Sequence, residues 1–344
     1  MTEAEFLVAL RRLPLHPGAL DLRDDAARLG DLVLTTDTLV EGVHYLSRDP
    51  AGDVAWKLVA TNLSDLAAKG AVPVGVMLNY PLRASSSFPS PAKAGAQLRD
   101  SVGGGKPDVT SATSTGPRPS PGKSVEGEGE SWDSVFLEGF AHALTTFSAP
   151  LLGGDTVSLP AHAPRVISLT AIGSTATAPI RTGARVGDVL YVTGTIGDAG
   201  AGLRIAQGQD GPAELLAAYR RPQPRLAEGQ ALAGVVGAMM DVSDGLLIDA
   251  QRMGAASGLS VTIDLADVPL SDAYRAFAGN DRTARIAAAT AGDDYQLLFA
   301  AAPDMALPCA ATRVGWFADG TGLTLVDAGE AVPLPVMLGF QHNR

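Results

Sequence analysis

Residues 32–80 run LVLTTDTLVEGVHYLSRDPAGDVAWKLVATNLSDLAAKGAVPVGVMLNY, and their apolar spacing decides the fold class. Leu32–Thr36 is short, apolar and hydroxyl-bearing and stops at Asp37, which predicts a strand with a carboxylate at its end. From Val54 to Gly70, Trp56, Leu58, Val59, Leu63, Leu66 and Ala67 recur at helical spacing. Val72–Tyr80 is strand-like again. Strand, helix and strand in such close succession predict an α/β or α+β chain.

The same alternation continues outward. Trp132–Phe147 has a helical pattern, Ala149–Leu152 is a short apolar run, and Arg165–Gly173 reads as a strand. The turn-rich segment Arg181–Asp188 marks a boundary, so residues 1–176 and 177–344 are expected to form two domains. In the second, strands are predicted at Val189–Thr193, Ser260–Leu265 and Tyr295–Ala300. Helices are predicted at Ala201–Gln207, Arg225–Met240, from Gly245 to about Ala256, and at Asp272–Phe277. Between them, residues 83–130 are rich in Ser, Gly and Pro, with Phe88 the sole aromatic. Such a stretch buries too little apolar surface to offset its ordering entropy, so 84–130 reads as a disordered insertion.

Composition excludes several classes of function. With 344 residues, 46% hydrophobic and 18% charged, the chain has ample core and is not wholly disordered. Its 26 Lys and Arg against 37 Asp and Glu leave a net charge of −11, which argues against a nucleic-acid backbone as partner. The lone Cys309 fits a reducing compartment. No apolar run has membrane-spanning length, and Met1-Thr2-Glu3-Ala4-Glu5 lacks the basic stretch of a signal peptide. A cytoplasmic protein with no membrane partner is expected.

Two glycine-rich segments invite a phosphate reading. Gly122-Lys123-Ser124 resembles the end of a P-loop, but five residues separate it from Gly116, three of them Pro, and no strand precedes it. It is rejected. Gly194–Gly202 (GTIGDAGAG) lies between a strand and a helix, where an anion can sit on the helix N-terminus, although the spacing fits no dinucleotide fingerprint.

Aspartates carry the stronger signal. Asp24-Asp25, Thr35-Thr36-Asp37, Ser64-Asp65, Gly154-Asp155-Thr156 and Asp241-Val242-Ser243-Asp244 each put a carboxylate near a strand end or a helix-flanking turn. Each alone has an ordinary explanation as helix surface, turn former or cap. Gathered together they repel, by about 4 kcal/mol per pair at 4 Å and an effective dielectric of 20. Either some protonate or hard cations fill the site, which points to Mg²⁺ or Ca²⁺. Five His and one Cys without ligand spacing argue against zinc. Trp56 and Trp132 sit at core spacing, and a lone His44 after a strand is by itself most simply structural.

The blocks DDAA (24–27), TTDTLVEGVHY (35–45), NLSDLAAKGA (62–71), LLGGDT (151–156), IRTGARVGDVLYVTG (180–194), DVSDGL (241–246) and GDDYQLLF (292–299) resemble the thiamine-monophosphate kinase family. They occur in order and cover nearly the whole chain outside 83–130. DVSDG and GGDT alone would indicate only the wider aminoimidazole-ribonucleotide-synthetase-like superfamily. The resemblance implies ATP-dependent phosphorylation of thiamine monophosphate to thiamine diphosphate, with several Mg²⁺ ions. The implied fold is a two-domain synthetase-like ATP-binding α/β (α+β) fold, whose N-terminal sheet pairs with its twin in a homodimeric barrel.

Carried over by motif, the implied Mg²⁺ ligands are Asp25, Thr35, Thr36, Asp37, Asp65, Asp155, Asp241 and Asp244, with Asp37, Asp65, Asp155 and Asp241 closest to the chemistry. Implied ATP contacts are Gly154, Asp155, Arg181 and Ser243. Implied thiamine-phosphate contacts are His44, Asp293 and Phe340. Two positions depart from the family pattern. Arg23 stands where Gly is frequent, and Asp293 stands where Glu is usual, one methylene shorter.

Phosphoryl transfer needs mostly positioning and electrostatics. The acceptor monoester, with a second pKa near 6, is largely dianionic at neutral pH and needs no general base. That suits a chain with no Ser–His or His–Asp pattern and predicts direct in-line transfer. The alternatives are another superfamily enzyme (an amidine cyclase, selenophosphate synthetase or hydrogenase-maturation dehydratase) or a non-catalytic Mg²⁺-binding protein. Cys309 lies at neither end, unlike the terminal cysteines typical of the selenium and maturation enzymes.

Overall fold

Along Leu32–Val40 (β2) burial alternates: Val33, Thr35 and Leu39 face inward while Leu32, Thr36 and Thr38 are exposed. This is the signature of a sheet with one covered face. The computed structural model describes residues 2–83, 131–160 and 162–341. The insertion expected at 84–130, with its Gly122-Lys123-Ser124, lies outside the described residues.

The first sheet has the order β1 (Ala27–Leu29), β2, β5 (Val166–Ser174), β3 (Val72–Arg83), β4 (Leu151–Leu159). Only the β3–β4 pair is parallel. Helices α2 (Ala51–Ala68) and α3 (Trp132–Thr146) cover one face, following the short N-terminal helix α1 (Glu3–Leu10). Leu58, Val59, Leu63, Leu66, Phe136, Ile167 and Leu169 are all fully buried between them. Each such side chain contributes about 1.5–3 kcal/mol. The opposite face leaves Leu32, Met77, Val157 and Val166 exposed.

Trp56 packs on Phe147 at 4.8 Å, and its indole N–H donates to Pro222 O at 2.9 Å, so it is a core residue as expected. Trp132 stacks on Phe136 at 5.4 Å. Arg23 has φ −115°, so this turn requires no glycine; the left-handed residues are Leu20, Asp21 and Leu22 just before it.

The second sheet, in the order β12-β11-β8-β10-β6-β9-β7, is built from β6 (Val189–Val192), β7 (Ala238–Asp241), β8 (Ser260–Asp264), β9 (Leu297–Ala301), β10 (Thr312–Ala318), β11 (Gly322–Asp327) and β12 (Glu330–Val332). Its helices are α4 (Asp198–Ala206), α5 (Ala213–Arg220), α6 (Leu226–Leu232), α7 (Leu246–Ser257), α8 (Asp272–Ala278) and α9 (Arg282–Ala289). Ala67 and Ala68 of α2 pack with Leu232, Met239, Leu297 and Phe299 in a separate buried cluster that ties the two sheets together.

The expected long helix over 225–240 is corrected. Helix α6 stops at Leu232, and Ala238–Asp241 is a fully buried strand paired to β9. Gly234 and Gly237 break the helix, and the apolar run after them satisfies its backbone in the sheet. Strand β2 also continues past Asp37 to Val40, because β5 pairs with it throughout.

Candidate active site

Strand β1 pairs only with Leu32–Leu34, so from Thr35 onward the outer edge of β2 carries no strand among the described residues. A cleft of about 600 Å³ opens along that edge. Its walls are β2 with Thr36 and Asp37, the following loop with Val43 and His44, and α2 with Thr61 and Asp65. Opposite stand Asp241, Ser243 and Asp244 after β7, then Ala291, Asp293, Tyr295 and Phe340.

One end of the cleft is acidic. Carboxylate oxygens of Asp25, Asp65 and Asp241 lie within 4.8 Å of one another. Strand alternation aims Thr35 and Asp37 at α2, whose Asn62 side chain accepts from Asp37 N at 3.0 Å. Thr35 Oγ1 donates to Asp65, and Ser64 Oγ donates to Asp241. Desolvation pushes Asp241 up to about 8, with the Asp25 charge adding to the effect. It raises Asp37 to about 6, helped by Asp25 and Asp244. Burial, then Asp37 and Asp241, hold Asp65 well above the usual carboxylate range.

Asp25 differs. Burial alone would raise it, but Lys69 and then Arg181 outweigh that and hold it at about 2. Lys69 Nζ forms an ion pair with Asp25 Oδ2 at 2.8 Å, and Arg181 donates to Oδ1. Three crowded carboxyls, with Asp65 and Asp241 held by hydroxyl donors, are a donor set suited to a hard cation. The residues present therefore fit magnesium.

The loop after β7 is organised from within. Backbone N–H groups of Ser243, Asp244 and Gly245 all donate to Asp249 Oδ2 at 3.1 Å. Helix α7 starts after Gly245, so Ser243 and Asp244 precede it. Arg252 Nη1 donates to Asp244 at 2.5 Å and to Asp249 at 2.8 Å. Asp249 was not anticipated; its signal is an acidic residue in the first turn of a helix behind an aspartate-rich loop.

Elsewhere along the cleft, Val40 N donates to His44 Nδ1 at 3.0 Å. Lys57, only 2% exposed, donates to Asp293 Oδ2 at 2.7 Å and His44 O at 3.1 Å, and lies 4.4 Å over the Tyr219 ring. Tyr295 OH donates to the second Asp293 oxygen at 2.9 Å. Phe340 N donates to Asp244 O at 2.9 Å, which brings the C-terminal segment to the cleft. Lys57 was likewise missed, because a lysine on a helix reads as solvent-facing.

Five anticipated residues are absent from the cleft lining; one, Asp25, nonetheless meets Asp65 and Asp241 within 4.8 Å. Asp155 pairs in register with Asn79 on the exposed edge strand β4, and Gly154 precedes it. Arg181 lies behind Asp25 and donates to its Oδ1, outside the cleft lining. Thr35 stands one layer behind, while Thr36 lines the cleft and donates to Leu169 O at 3.0 Å. The glycine-rich turn at 194–202 does hold a carboxyl group, but one from this chain: Gly197 N donates to Asp294 Oδ2 at 2.9 Å at the start of α4.

Residues 23–113 and 102–175 match the AIR synthase related protein, N-terminal domain, and residues 185–331 match the AIR synthase related protein, C-terminal domain. The chain is 35% identical to a thiamine-monophosphate kinase of Caulobacter vibrioides, over 99% of this chain and 91% of the relative. It is 32% identical to the crystal structure of the thiamine-monophosphate kinase from Stenotrophomonas maltophilia K279a, with TM-score 0.67, covering 96% of this chain and 99% of that one. AaThiL complexed with AMPPCP and TMP shares the fold at TM-score 0.75 and 24% identity, covering 99% and 97%. The mixed α/β two-domain architecture expected from the sequence is the one found.

Proposed function

The chain belongs to the thiamine-monophosphate kinase family of AIR synthase related proteins, and from that premise we infer how its residues divide the work. It is a thiamine-phosphate kinase: it transfers the terminal phosphoryl group of ATP to thiamine monophosphate, giving thiamine diphosphate. The observation that carries the site assignment is the convergence of Asp25, Asp65 and Asp241 within 4.8 Å, beside a cleft that continues to His44, Asp293 and Phe340.

Asp25, Asp37, Asp65, Asp241 and Asp244, with Thr36, would hold Mg²⁺, and Thr35 acts from behind through Asp65. When bound, the ions neutralise phosphate oxygens that would otherwise repel each other and the acidic wall. Thr35 and Ser64 orient the carboxylates, and Asp249 shapes the backbone that presents Ser243 and Asp244 to ATP. Arg181 serves the same end from behind, holding Asp25 in place. The ring end of thiamine monophosphate lies toward His44, Asp293 and Phe340. The acceptor dianion attacks in line without a base from the protein.

Asp155 and Gly154 fit this scheme through a second copy. Leu32, Met77, Val157 and Val166 expose apolar surface on the face of β4 and its sheet, which supports a homodimer closed into a barrel. We divide the chain at residues 176/177, between the last strand of one sheet and the first of the next. No helix among the described residues is long and apolar enough to cross a membrane, and with the acidic composition this supports a cytoplasmic location without nucleic-acid partners.

Mass-spectrometric detection of thiamine diphosphate from ATP, Mg²⁺ and thiamine monophosphate tests the reading. Asp37→Asn and Asp65→Asn are expected to abolish product, and deletion of residues 84–130 to leave it. Mg²⁺ binding without product would turn the assignment to the non-catalytic alternative.

A further inference from the structure

We propose that Lys69 is a resident cation of the magnesium site: a fixed ammonium that neutralises Asp24 and Asp25 where a chain lacking it would recruit further divalent charge. The inference rests on the Mg²⁺ reading above.

Lys69 follows the last turn of α2, and its side chain is only 2% exposed, whereas lysines are almost never buried unless paired. Its Nζ contacts Asp24 Oδ1, lies 2.8 Å from Asp25 Oδ2, and donates to Met239 O at 3.3 Å. Three oxygens from two chain segments thus surround one buried positive charge, the kind of ligand atom that a hard cation takes. Arg181 supplies the second positive charge, on Asp25 Oδ1.

Charge is therefore divided unevenly across the carboxylates. Asp25 carries two protein cations, while Asp65 and Asp241 receive hydroxyl donors from Thr35 and Ser64. A carboxylate oxygen of Asp25 lies within 4.8 Å of those of Asp65 and Asp241, so this residue joins the fixed-cation side to the side left open for metal. Lys69 then sets how much divalent charge the pocket draws in. A purely structural ion pair between α2 and residues 24–25 would instead affect stability alone.

The test is Mg²⁺ titration of the full chain without nucleotide, by calorimetry and by thermal unfolding, for wild type, Lys69→Met and Lys69→Arg. Methionine keeps the length and removes the charge. Lys69→Met is expected to bind an additional Mg²⁺, or to bind Mg²⁺ at least about tenfold more tightly, since a nearby positive charge no longer repels it. Its Tm should rise more with Mg²⁺ than that of wild type, and Lys69→Arg should behave as wild type. Equal Mg²⁺ responses in Lys69→Met and wild type would overturn the inference. If Lys69→Met does not fold without metal, recovery on refolding in excess Mg²⁺ supports the exchange of ammonium for metal, and failure to recover overturns it. No Mg²⁺ response in wild type would instead overturn the metal reading itself.

Discussion

Lys57 Nζ lies 2.7 Å from Asp293 Oδ2, joining the middle of α2 to a loop 236 residues further along the chain. The contact ties α2 to a residue of the cleft wall. With Tyr295 on the other oxygen, both atoms of the Asp293 carboxylate are held, and the shorter side chain is fixed at the cleft wall.

Lys57→Met should therefore act mainly on the organic substrate. Charge-assisted hydrogen bonds contribute about 1.5–3 kcal/mol, so KM for thiamine monophosphate should rise about tenfold or more. KM for ATP, bound at the other end, should change little. The stability cost should stay below the ~3–5 kcal/mol of a fully buried pair, because Asp293 is 37% exposed. Steady-state kinetics with each substrate varied in turn checks the split; equal rises in both KM values would contradict it.

Mg²⁺ affinity should increase with pH. Asp37 and Asp241, raised to about 6 and about 8 from an ordinary 3.8, hold protons in the metal-free fold that the unfolded chain has already lost. The folded state binds more protons across that window, so metal-free stability should fall as pH rises through it. Mg²⁺ displaces those protons, so binding should tighten from pH 6 to pH 8 and release protons. Calorimetry in buffers of different ionisation heats reads the release directly.

Asp249→Ala should be severely destabilising. Asp249 is fully buried, and its removal leaves the N–H groups of Ser243, Asp244 and Gly245 without their acceptor. Each unsatisfied donor costs about 1–3 kcal/mol, so a loss of about 3 kcal/mol or more is expected in thermal or denaturant unfolding. Asp249→Asn, which retains one acceptor oxygen, should lose less. Similar stability in the alanine variant and the wild type would remove Asp249 from this role.

Gly229→Ala should also destabilise, against the helix propensity of alanine. A Cβ at Gly229 would sit 2.0 Å from the carbonyl oxygen of Ala67, backbone against backbone, where α6 crosses α2. Relief requires the helices to separate, at about 1–3 kcal/mol, which exceeds the ~1 kcal/mol that alanine gains over glycine in a helix. A lower Tm without an altered KM is the expected result.

Much of this architecture was legible because it is local. Apolar spacing located β2, α2, β3 and α7, and hydroxyl-flanked aspartates at their ends pointed to the acidic pole of the cleft. Lys57, Lys69 and Asp294 were not legible, since their roles depend on partners 236, 45 and 97 residues away. Helix α2 explains part of this. It is buried on nearly every side, so its polar positions cannot be sorted into solvent and interior by periodicity. The run 235–240 was misread because an apolar stretch of that length suits a buried strand or a helix equally.

Helix α2 carries Asp65 in the cleft wall and, two turns earlier, Lys57, which holds the cleft residue Asp293. Eight residues at a rise of 1.5 Å place the two about 12 Å apart along the axis, a spacing fixed by backbone geometry. The helix thus acts as a ruler laid beside the substrate. Analogues whose phosphate hangs on a longer or shorter tether would meet one pole and miss the other, and so occupy the enzyme as unproductive ligands.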